Sequence, residues 1–138
     1  MQFKRIGKED KELIESFTKP WGIENADYSF TTLYLWGRHG KITYAIEDDA
    51  LFLLYRFPDS VPFFSCPVPK DKNADYGKLI DKAFSELKEM GVNTAIVTDI
   101  SKDGAMKGTN RALYAELSKK LDMDITASGG VSSIEDII

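Results

Sequence analysis

Two aspartates, Asp99 and Asp103, could transfer protons in the segment at residues 98–104 (Thr-Asp-Ile-Ser-Lys-Asp-Gly). The segment follows a short apolar run at residues 94–97, which is typical of a buried strand. Parallel α/β folds place catalytic groups at the carboxyl ends of their strands, and a carboxylate there gives or takes a proton when its surroundings tune its pKa. The alternative is structural: Asp99 caps a turn, and Asp103 with Gly104 forms an ordinary Asp-Gly turn.

A second segment, residues 127–133 (Ala-Ser-Gly-Gly-Val-Ser-Ser), has the composition of an anion-binding turn. It follows a predicted strand and opens a helix. Because Gly129 and Gly130 carry no side chain, their backbone amides can approach a phosphate closely, and Ser128 is a candidate beside them. Two glycines between a strand and a helix also make a tight connection, so the pattern alone leaves both interpretations open.

The C-terminal half predicts a scaffold for these segments. Apolar residues spaced three or four apart from Leu79 to Met90 indicate a helix with one core-facing side, which ends at Gly91. The predicted elements that follow are a strand at 94–97, a loop to 108, a helix at 110–121, a strand at 124–127 and a last helical turn. This order is a β-α-β-α unit with parallel strands.

The region closely resembles one enzyme family. The motifs at residues 98–104, 108–110 (Gly-Thr-Asn) and 127–133 have the order and spacing found around the sixth and seventh strands of the ProFAR isomerase of histidine biosynthesis. The resemblance covers about a third of the chain, from Gly91 to Ile137. It implies descent from a (β/α)8 barrel enzyme that isomerises an aminoaldose to an aminoketose.

The resemblance implies roles for particular residues. Asp103 matches the loop aspartate that works with an aspartate of the first strand as acid and base, and Thr98 would hydrogen-bond the substrate. Gly129 and Gly130 would give backbone amides to one of two phosphates. Asp99 is a further catalytic candidate by its position at the strand end.

Other parts of the family's site have no counterpart in the chain. The first-strand aspartate, the second phosphate site and the eighth strand are not found in these 138 residues, whereas a complete barrel takes about 250. We therefore expect no turnover by the chain alone and at most the binding of a sugar phosphate. If the chain is active, the resemblance implies an isomerase, that is, an intramolecular oxidoreductase.

The N-terminal half predicts a different arrangement. Apolar residues share one face of a helix over residues 10–17, and the aromatic block at 28–36 indicates partial burial as either a helix or a strand. Three strands in an antiparallel meander follow, at 41–46, 51–57 and 61–66. The polar stretch at 70–73 is the candidate boundary, because strand-like periodicity changes to helical periodicity there.

Residues 1–69 resemble, less strongly, the start of an uncharacterised bacterial domain related to the C-terminal domain of phosphatidylglycerol lysyltransferases. The resemblance rests on Phe3, Ile6, Glu9-Asp10 and the block at 27–36, and it implies an acyltransferase (GNAT-like) architecture. The Gly-rich pyrophosphate loop that an acetyl-CoA-binding acyltransferase needs does not follow the strand that ends near Cys66.

Two reactive side chains and the aromatic block have structural interpretations. His39, beside Gly40 in a predicted turn, is expected to be a solvated loop residue. Cys66, beside Pro67, is expected to be a small buried apolar residue and not a nucleophile. The aromatic side chains of the block at 28–36 could form a binding face, but they are expected to belong to the core.

Taken together, these elements predict a single α/β domain with a mixed sheet, made of the antiparallel meander and the parallel β-α-β-α unit, and not a complete barrel. An acyltransferase-like portion over 1–75 and an isomerase fragment over 76–138 would pack as one unit. Three hypotheses about function follow: an incomplete isomerase relative that binds a sugar phosphate, a diverged acyltransferase-like domain that binds a CoA or aminoacyl donor, and a non-catalytic recombined chain.

Composition and charge exclude several classes. The chain is 43% hydrophobic and 29% charged, as in globular proteins. Its formal net charge of -4, without a dense Lys/Arg stripe, is not that of a nucleic-acid or anionic-membrane binder.

One cysteine allows neither an intramolecular disulfide nor a multi-Cys metal site, and we expect no cofactor or metal. The absence of a long apolar run favours the cytoplasm, and an open edge on the last parallel strand favours a homodimer.

Overall fold

A computed structural model describes residues 1–23, 25–98, 108–128 and 130–134. By its internal contacts the chain divides into two compact units, Met1–Met90 and Gly91–Ile138. The sequence-based division into 1–75 and 76–138 concerns resemblance and stays a prediction. Each unit is described by itself.

The first unit combines three α-helices with short and long antiparallel strands. Its helices are α1 (Lys11–Thr18), α2 (Phe30–Trp36) and α3 (Tyr76–Glu89). Its strands are β1 (Lys4–Arg5), β2 (Ile42–Glu47), β3 (Ala50–Tyr55), β4 (Phe63–Phe64) and β5 (Val68–Pro69). Within the described residues they form one sheet in the order β1-β2-β3-β4, with β5 also paired to β3.

The hairpin of β2 and β3 is the centre of this sheet. The two strands pair over their full length, from Ile42 opposite Tyr55 to Glu47 opposite Ala50. Asp48 and Asp49 form the two-residue turn with φ angles of 50° and 53°, which suits the right-handed twist of the flanking strands. The predicted hairpin is confirmed, whereas the third predicted strand at 61–66 is reduced to the two residues of β4.

The core of the first unit lies on both faces of β3, because every residue of that strand is buried. On one face Leu51 and Leu53 pack with Ile14 and Phe17 of α1 and with Leu33 of α2. Burial of such side chains stabilises the fold by roughly 1.5–3 kcal/mol each. The aromatic block therefore forms a helix whose inner face joins the core.

Helix α3 covers the other face of the same strand. Leu79 and Ala83 pack against Ala50 and Phe52. The Asp75 side chain begins the helix by accepting a hydrogen bond from the backbone N–H of Lys78. The helix predicted from apolar spacing is confirmed, and its buried stripe belongs to the first unit.

The second unit contains β6 (Thr94–Thr98), α4 (Arg111–Leu121) and β7 (Asp124–Ser128). The two strands pair in parallel, as the β-α-β pattern predicts. Helix α4 begins at Asn110, whose side chain accepts a hydrogen bond from the backbone N–H of Leu113 at 3.3 Å.

The prediction of one mixed sheet is wrong in the described part of the chain, although the α/β class and the absence of a closed barrel are confirmed there. The strands form two sheets: the antiparallel sheet of the first unit and the pair β6-β7. The strands on either side of the central hairpin, β1, β4 and β5, are two residues long. Such short strands offer too few ladder hydrogen bonds to extend a sheet with a five-residue strand.

None of the helices among the described residues is long and apolar enough to cross a membrane. Each of β6 and β7 has one edge that carries no β partner in the described part of the chain. The homodimer expected from that edge stays a prediction.

Candidate functional site

The carboxyl ends of β6 and β7 lie side by side. Parallel pairing places Thr98, the last residue of β6, opposite Ser128, the last residue of β7. Two side chains that the sequence singled out separately thus share one edge of the sheet. A parallel pair builds ligand sites at this end, because the loops that leave it converge there.

Helix α4 fixes the end of β7. The Tyr114 side chain, which is almost fully buried, donates a hydrogen bond from its hydroxyl to the backbone carbonyl of Ser128 at 2.5 Å. At the opposite end of the strand the backbone N–H of Asp124 bonds the carbonyl of Asn93 at 2.8 Å. Both ends of β7 are thus held, so the segment that follows it starts from a defined position.

Gly130 has the backbone conformation that a glycine turn requires. Its φ is 79°, in the left-handed region that other residues adopt only with strain, and it is buried. Gly108, at the start of the Gly-Thr-Asn motif, has a similar φ of 81°. These glycines are therefore needed for backbone geometry whether or not a phosphate binds, so their conformation alone does not choose between the two interpretations.

Three of the predicted site residues lie outside the described residues. They are Asp99 and Asp103, the carboxylates that would move protons, and Gly129, the first glycine of the phosphate segment. Of the six candidates, the structure brings together Thr98, Ser128 and the nearby Gly130. The proton-transfer roles stay predictions.

The two reactive side chains of the first unit have different outcomes. His39 is exposed and has a φ of 65° in a short 3-10 turn, which confirms the expectation of a solvated loop residue. Cys66 is exposed, so the expectation of a buried cysteine is wrong. Its thiol is nevertheless partly withdrawn from water, which raises the pKa of Cys66 above its usual value and opposes thiolate formation.

The described residues contain no group of three or more His, Cys, Asp or Glu side chains that could hold a metal ion. They do contain a cleft in the first unit that sequence reasoning missed, with Tyr28, Tyr55 and Ser65 in its walls. The aromatic side chains were expected in the core, but Trp36 is 64% exposed at this cleft. The mixture of aromatic and hydroxyl residues in the block at 28–36 could have indicated this cleft, because a purely apolar core needs no hydroxyl groups.

Comparison with known proteins supports the relation of the C-terminal part to the isomerases. A model of the histidine biosynthesis protein family matches residues 71–138. An imidazole-4-carboxamide isomerase of Lactococcus lactis subsp. cremoris is 52% identical over 52 residues, which are 38% of this chain and 21% of that enzyme. Its name specifies two phosphoribosyl groups on the imidazole carboxamide. This enzyme is a ProFAR isomerase.

Two further relatives carry the same name. The enzyme of Ruminiclostridium cellulolyticum is 41% identical over 68 residues, 49% of this chain and 28% of its own length. That of Clostridioides difficile is 46% identical over 52 residues, 38% of this chain and 22% of its own length. The chain thus spans less than a third of the curated relatives it matches. No solved structure matches it at a comparable level.

The family match begins before the second unit does. It starts at residue 71 and so includes α3, whereas the compact division falls between Met90 and Gly91. Helix α3 therefore belongs to the isomerase-like part by sequence and to the first unit by packing. The acyltransferase-like resemblance of residues 1–69 stays a prediction.

Proposed function

We propose that the C-terminal part of this chain binds a sugar phosphate at the carboxyl ends of β6 and β7, as a relative of the ProFAR isomerases. The carrying observation is the pairing of Thr98 with Ser128 beside Gly130, whose backbone is left-handed. In this proposal Gly129 and Gly130 offer backbone amides to the phosphate, and the Ser128 hydroxyl adds a further hydrogen bond. The Thr98 hydroxyl binds the sugar.

We further propose that the isolated chain does not turn over the isomerase substrate. Ring opening and isomerisation need an acid and a base on the two sides of the substrate. The family pairs the aspartate matched by Asp103 with an aspartate of its first strand, and Asp99, four residues from Asp103, would stand on the same loop. One loop supplies groups from one side only, so the reaction lacks its second partner.

The surroundings of β6 support this view. Thr94, Ile96 and Thr98 share one face of the strand and are exposed, with Ile96 at 76%. In a closed barrel both faces of a strand are covered, one by the packed interior and the other by the ring of helices. A ligand held at this face of an isolated chain stays in water, where charges are screened and proton transfer gains little from its surroundings.

The test measures binding and turnover separately. The isolated chain should bind ribose 5-phosphate and should not bind ribose, since the phosphate supplies the recognised charge. Incubation with the isomerase substrate should give no product above the background without protein. Turnover would refute the argument from the missing partner, and equal affinity for ribose and its phosphate would refute the phosphate site.

A matched pair of variants separates the proposed roles. Asp103→Asn should leave ribose 5-phosphate binding almost unchanged, because Asp103 is assigned to proton transfer. Thr98→Val keeps the shape of the side chain and removes the hydroxyl, so the affinity should fall several-fold. A large loss of binding in Asp103→Asn would show that its role is misassigned.

A further inference from the structure

A cleft of about 380 Å³ lies entirely within the first unit. Its volume falls in the range of small-molecule sites, about 300–1,000 Å³. Its walls come from the 3-10 turn before α2, from α2, and from β2, β3, β4 and the chain after β4. The lining residues include Asp27, Tyr28, Trp36, Tyr55, Phe63 and Ser65.

Aromatic rings form one wall of the cleft. Tyr55 and Phe63 stack with their centroids 4.8 Å apart and an interplanar angle of 4°. The ring centroid of Phe57 lies 6.2 Å from that of Tyr55 and 6.4 Å from that of Phe63. Phe63 is 43% exposed, and Trp36 is exposed at another part of the cleft. Exposed rings of this size around one concavity mark a surface that favours an apolar, flat partner.

Unpaired hydroxyl groups lie among these rings. Tyr55 is 8% exposed, and its hydroxyl makes no hydrogen bond. The Ser65 hydroxyl is also buried without a hydrogen-bond partner, although it lies near enough to both Tyr28 and Tyr55 to lower their pKa values in part. Tyr28 donates its own hydrogen bond to the carbonyl of Cys66 at 3.1 Å. Buried unpaired hydroxyls are rare and are unfavourable until a ligand or a water satisfies them.

The hydroxyl of Tyr55 is buried in the wall of the cleft. Burial is the main cause that raises the pKa of Tyr55, and the phenol of Tyr28 and the carboxylate of Asp27 raise it further. Both of these residues line the cleft. The phenol of Tyr55 is therefore a neutral hydrogen-bonding group at the aromatic wall.

The charge of the cleft selects against anions. Among the described lining residues Asp27 is the one charged side chain, and neither lysine nor arginine is present. A phosphate or carboxylate group would have no positive partner there and would be repelled by Asp27. A phosphate-rich donor such as CoA does not fit this chemistry.

We propose that this cleft binds a small planar aromatic molecule, neutral or cationic, whose polar group hydrogen-bonds the Tyr55 and Ser65 hydroxyls. The ring of the ligand packs against the Tyr55–Phe63 wall. The site is independent of the sugar-phosphate site, because it lies in the other unit. A failure of the sugar-phosphate proposal would therefore leave the proposal for this cleft intact, and the reverse also holds.

Three para-substituted phenols test the charge rule: p-cresol, which is neutral, tyramine, which is cationic, and 4-hydroxyphenylacetate, which is anionic and has a side chain similar in size to that of tyramine. Fluorescence of Trp36 reports binding, and Trp36→Phe identifies the signal, since Trp21 does not line the cleft. We expect saturable binding of p-cresol and tyramine, and at least tenfold weaker binding of the anion. Absence of saturable p-cresol binding, or equal affinity for the anion, would overturn the proposal.

Tyr55→Phe tests the hydrogen bond. It removes the hydroxyl, keeps the stacked ring and should fold, because it deletes an unpaired buried group. We expect the affinity for p-cresol to fall at least fivefold and that for toluene, which has no hydroxyl, to stay the same. The control Tyr34→Phe changes a tyrosine outside the cleft and should alter neither. Equal effects on p-cresol and toluene would show that the hydroxyl is not used.

Discussion

The hydroxyl of Tyr114 donates a hydrogen bond to the backbone carbonyl of Ser128 at 2.5 Å, which ties helix α4 to the last residue of β7. Ser128 is also the first of the proposed phosphate-binding residues. Positioning of the proposed site therefore depends on a helix residue, Tyr114, that belongs to none of the three sequence motifs.

Tyr114→Phe should loosen this end of β7. Loss of the hydrogen bond should reduce the free energy of unfolding of the second unit by about 0.5–1.5 kcal/mol, while the ring keeps its packing. Ribose 5-phosphate should also bind more weakly. Hydrogen exchange of the β7 amides measures the first effect, and Tyr34→Phe in α2 serves as a control that should leave these amides unchanged. Unchanged exchange in Tyr114→Phe would contradict the role of this bond.

Gly130→Ala tests whether the left-handed turn serves binding as well as folding. An alanine at a φ of 79° is strained by about 1–2 kcal/mol, and its methyl group would stand beside the proposed phosphate amides. We expect ribose 5-phosphate affinity to fall at least tenfold, measured by calorimetry.

The matched control is Gly22→Ala. Gly22 has a φ of 60° in the first unit, with open space around the position of a Cβ atom. This variant should lose a similar amount of stability and keep its affinity for the sugar phosphate. If both variants bind equally well, the glycine turn is only a connection between elements.

The packing of helix α3 predicts where the chain can be shortened without loss of folding. Because Leu79 and Ala83 cover Ala50 and Phe52, a chain of residues 1–90 should fold, whereas one of residues 1–75 should expose that face of β3. Lys82 adds ion pairs to Glu47 at 2.6 Å and Asp48 at 2.8 Å, which link α3 to the hairpin.

Urea unfolding of the two shortened chains provides the measurement. The 1–90 chain should show a cooperative transition, and the 1–75 chain should show none or one at much lower urea. In the full chain, Leu79→Ala should lower the free energy of unfolding by about 2–5 kcal/mol. Ser85→Ala, at an exposed position of the same helix, should change it by no more than about 0.5 kcal/mol. Equal stability of the two shortened chains would place α3 outside the first unit.

The sequence predicted elements well where the signal is local. Helix α4 and the strands β6 and β7 follow from apolar spacing, and their parallel pairing follows from the β-α-β order. The aromatic block left helix and strand open, and the structure decides for a helix that Ser29 caps by accepting a hydrogen bond from the Thr32 N–H.

What the sequence did not predict depends on partners distant along the chain. β1 and β5 are two residues long and exist because β2 and β3 offer them ladder partners. The apolar residues on one side of α3 predict a buried face. They do not predict that this face packs against β3. The parallel direction of β6 and β7 followed from the fold class. The register that pairs Thr98 with Ser128 and the unpaired Tyr55 hydroxyl are visible only once the strands are placed.

The raised pKa of Tyr44 predicts that the folded chain loses stability at strongly alkaline pH. Burial and the hydrogen bond from its hydroxyl to Asp10, at 2.8 Å, raise the pKa of Tyr44 to about 12. The unfolded chain releases this proton near pH 10 and the folded chain near pH 12, so the folded state binds more protons in that interval. Stability from this group is complete below about pH 10 and is lost as the pH rises toward about 12.

Urea unfolding at a series of pH values from about 8 to about 12 tests this. Tyr44→Phe should be less stable than the parent chain at pH 8, and the difference should shrink, by an amount on the order of 2 kcal/mol, as the pH rises. The comparison isolates Tyr44 from the other tyrosines whose pKa values are raised. A difference that is independent of pH would contradict the assignment.

The most direct test of the sugar-phosphate site is an amide NMR titration of the isolated chain with ribose 5-phosphate. We expect dispersed signals whose shifts concentrate at Ser128, Gly129, Gly130 and residues 98–104, with the signals of the first unit unchanged. Dispersed signals that ignore the ligand, or that shift only in the first unit, would show that the isomerase motifs survive here as packing alone.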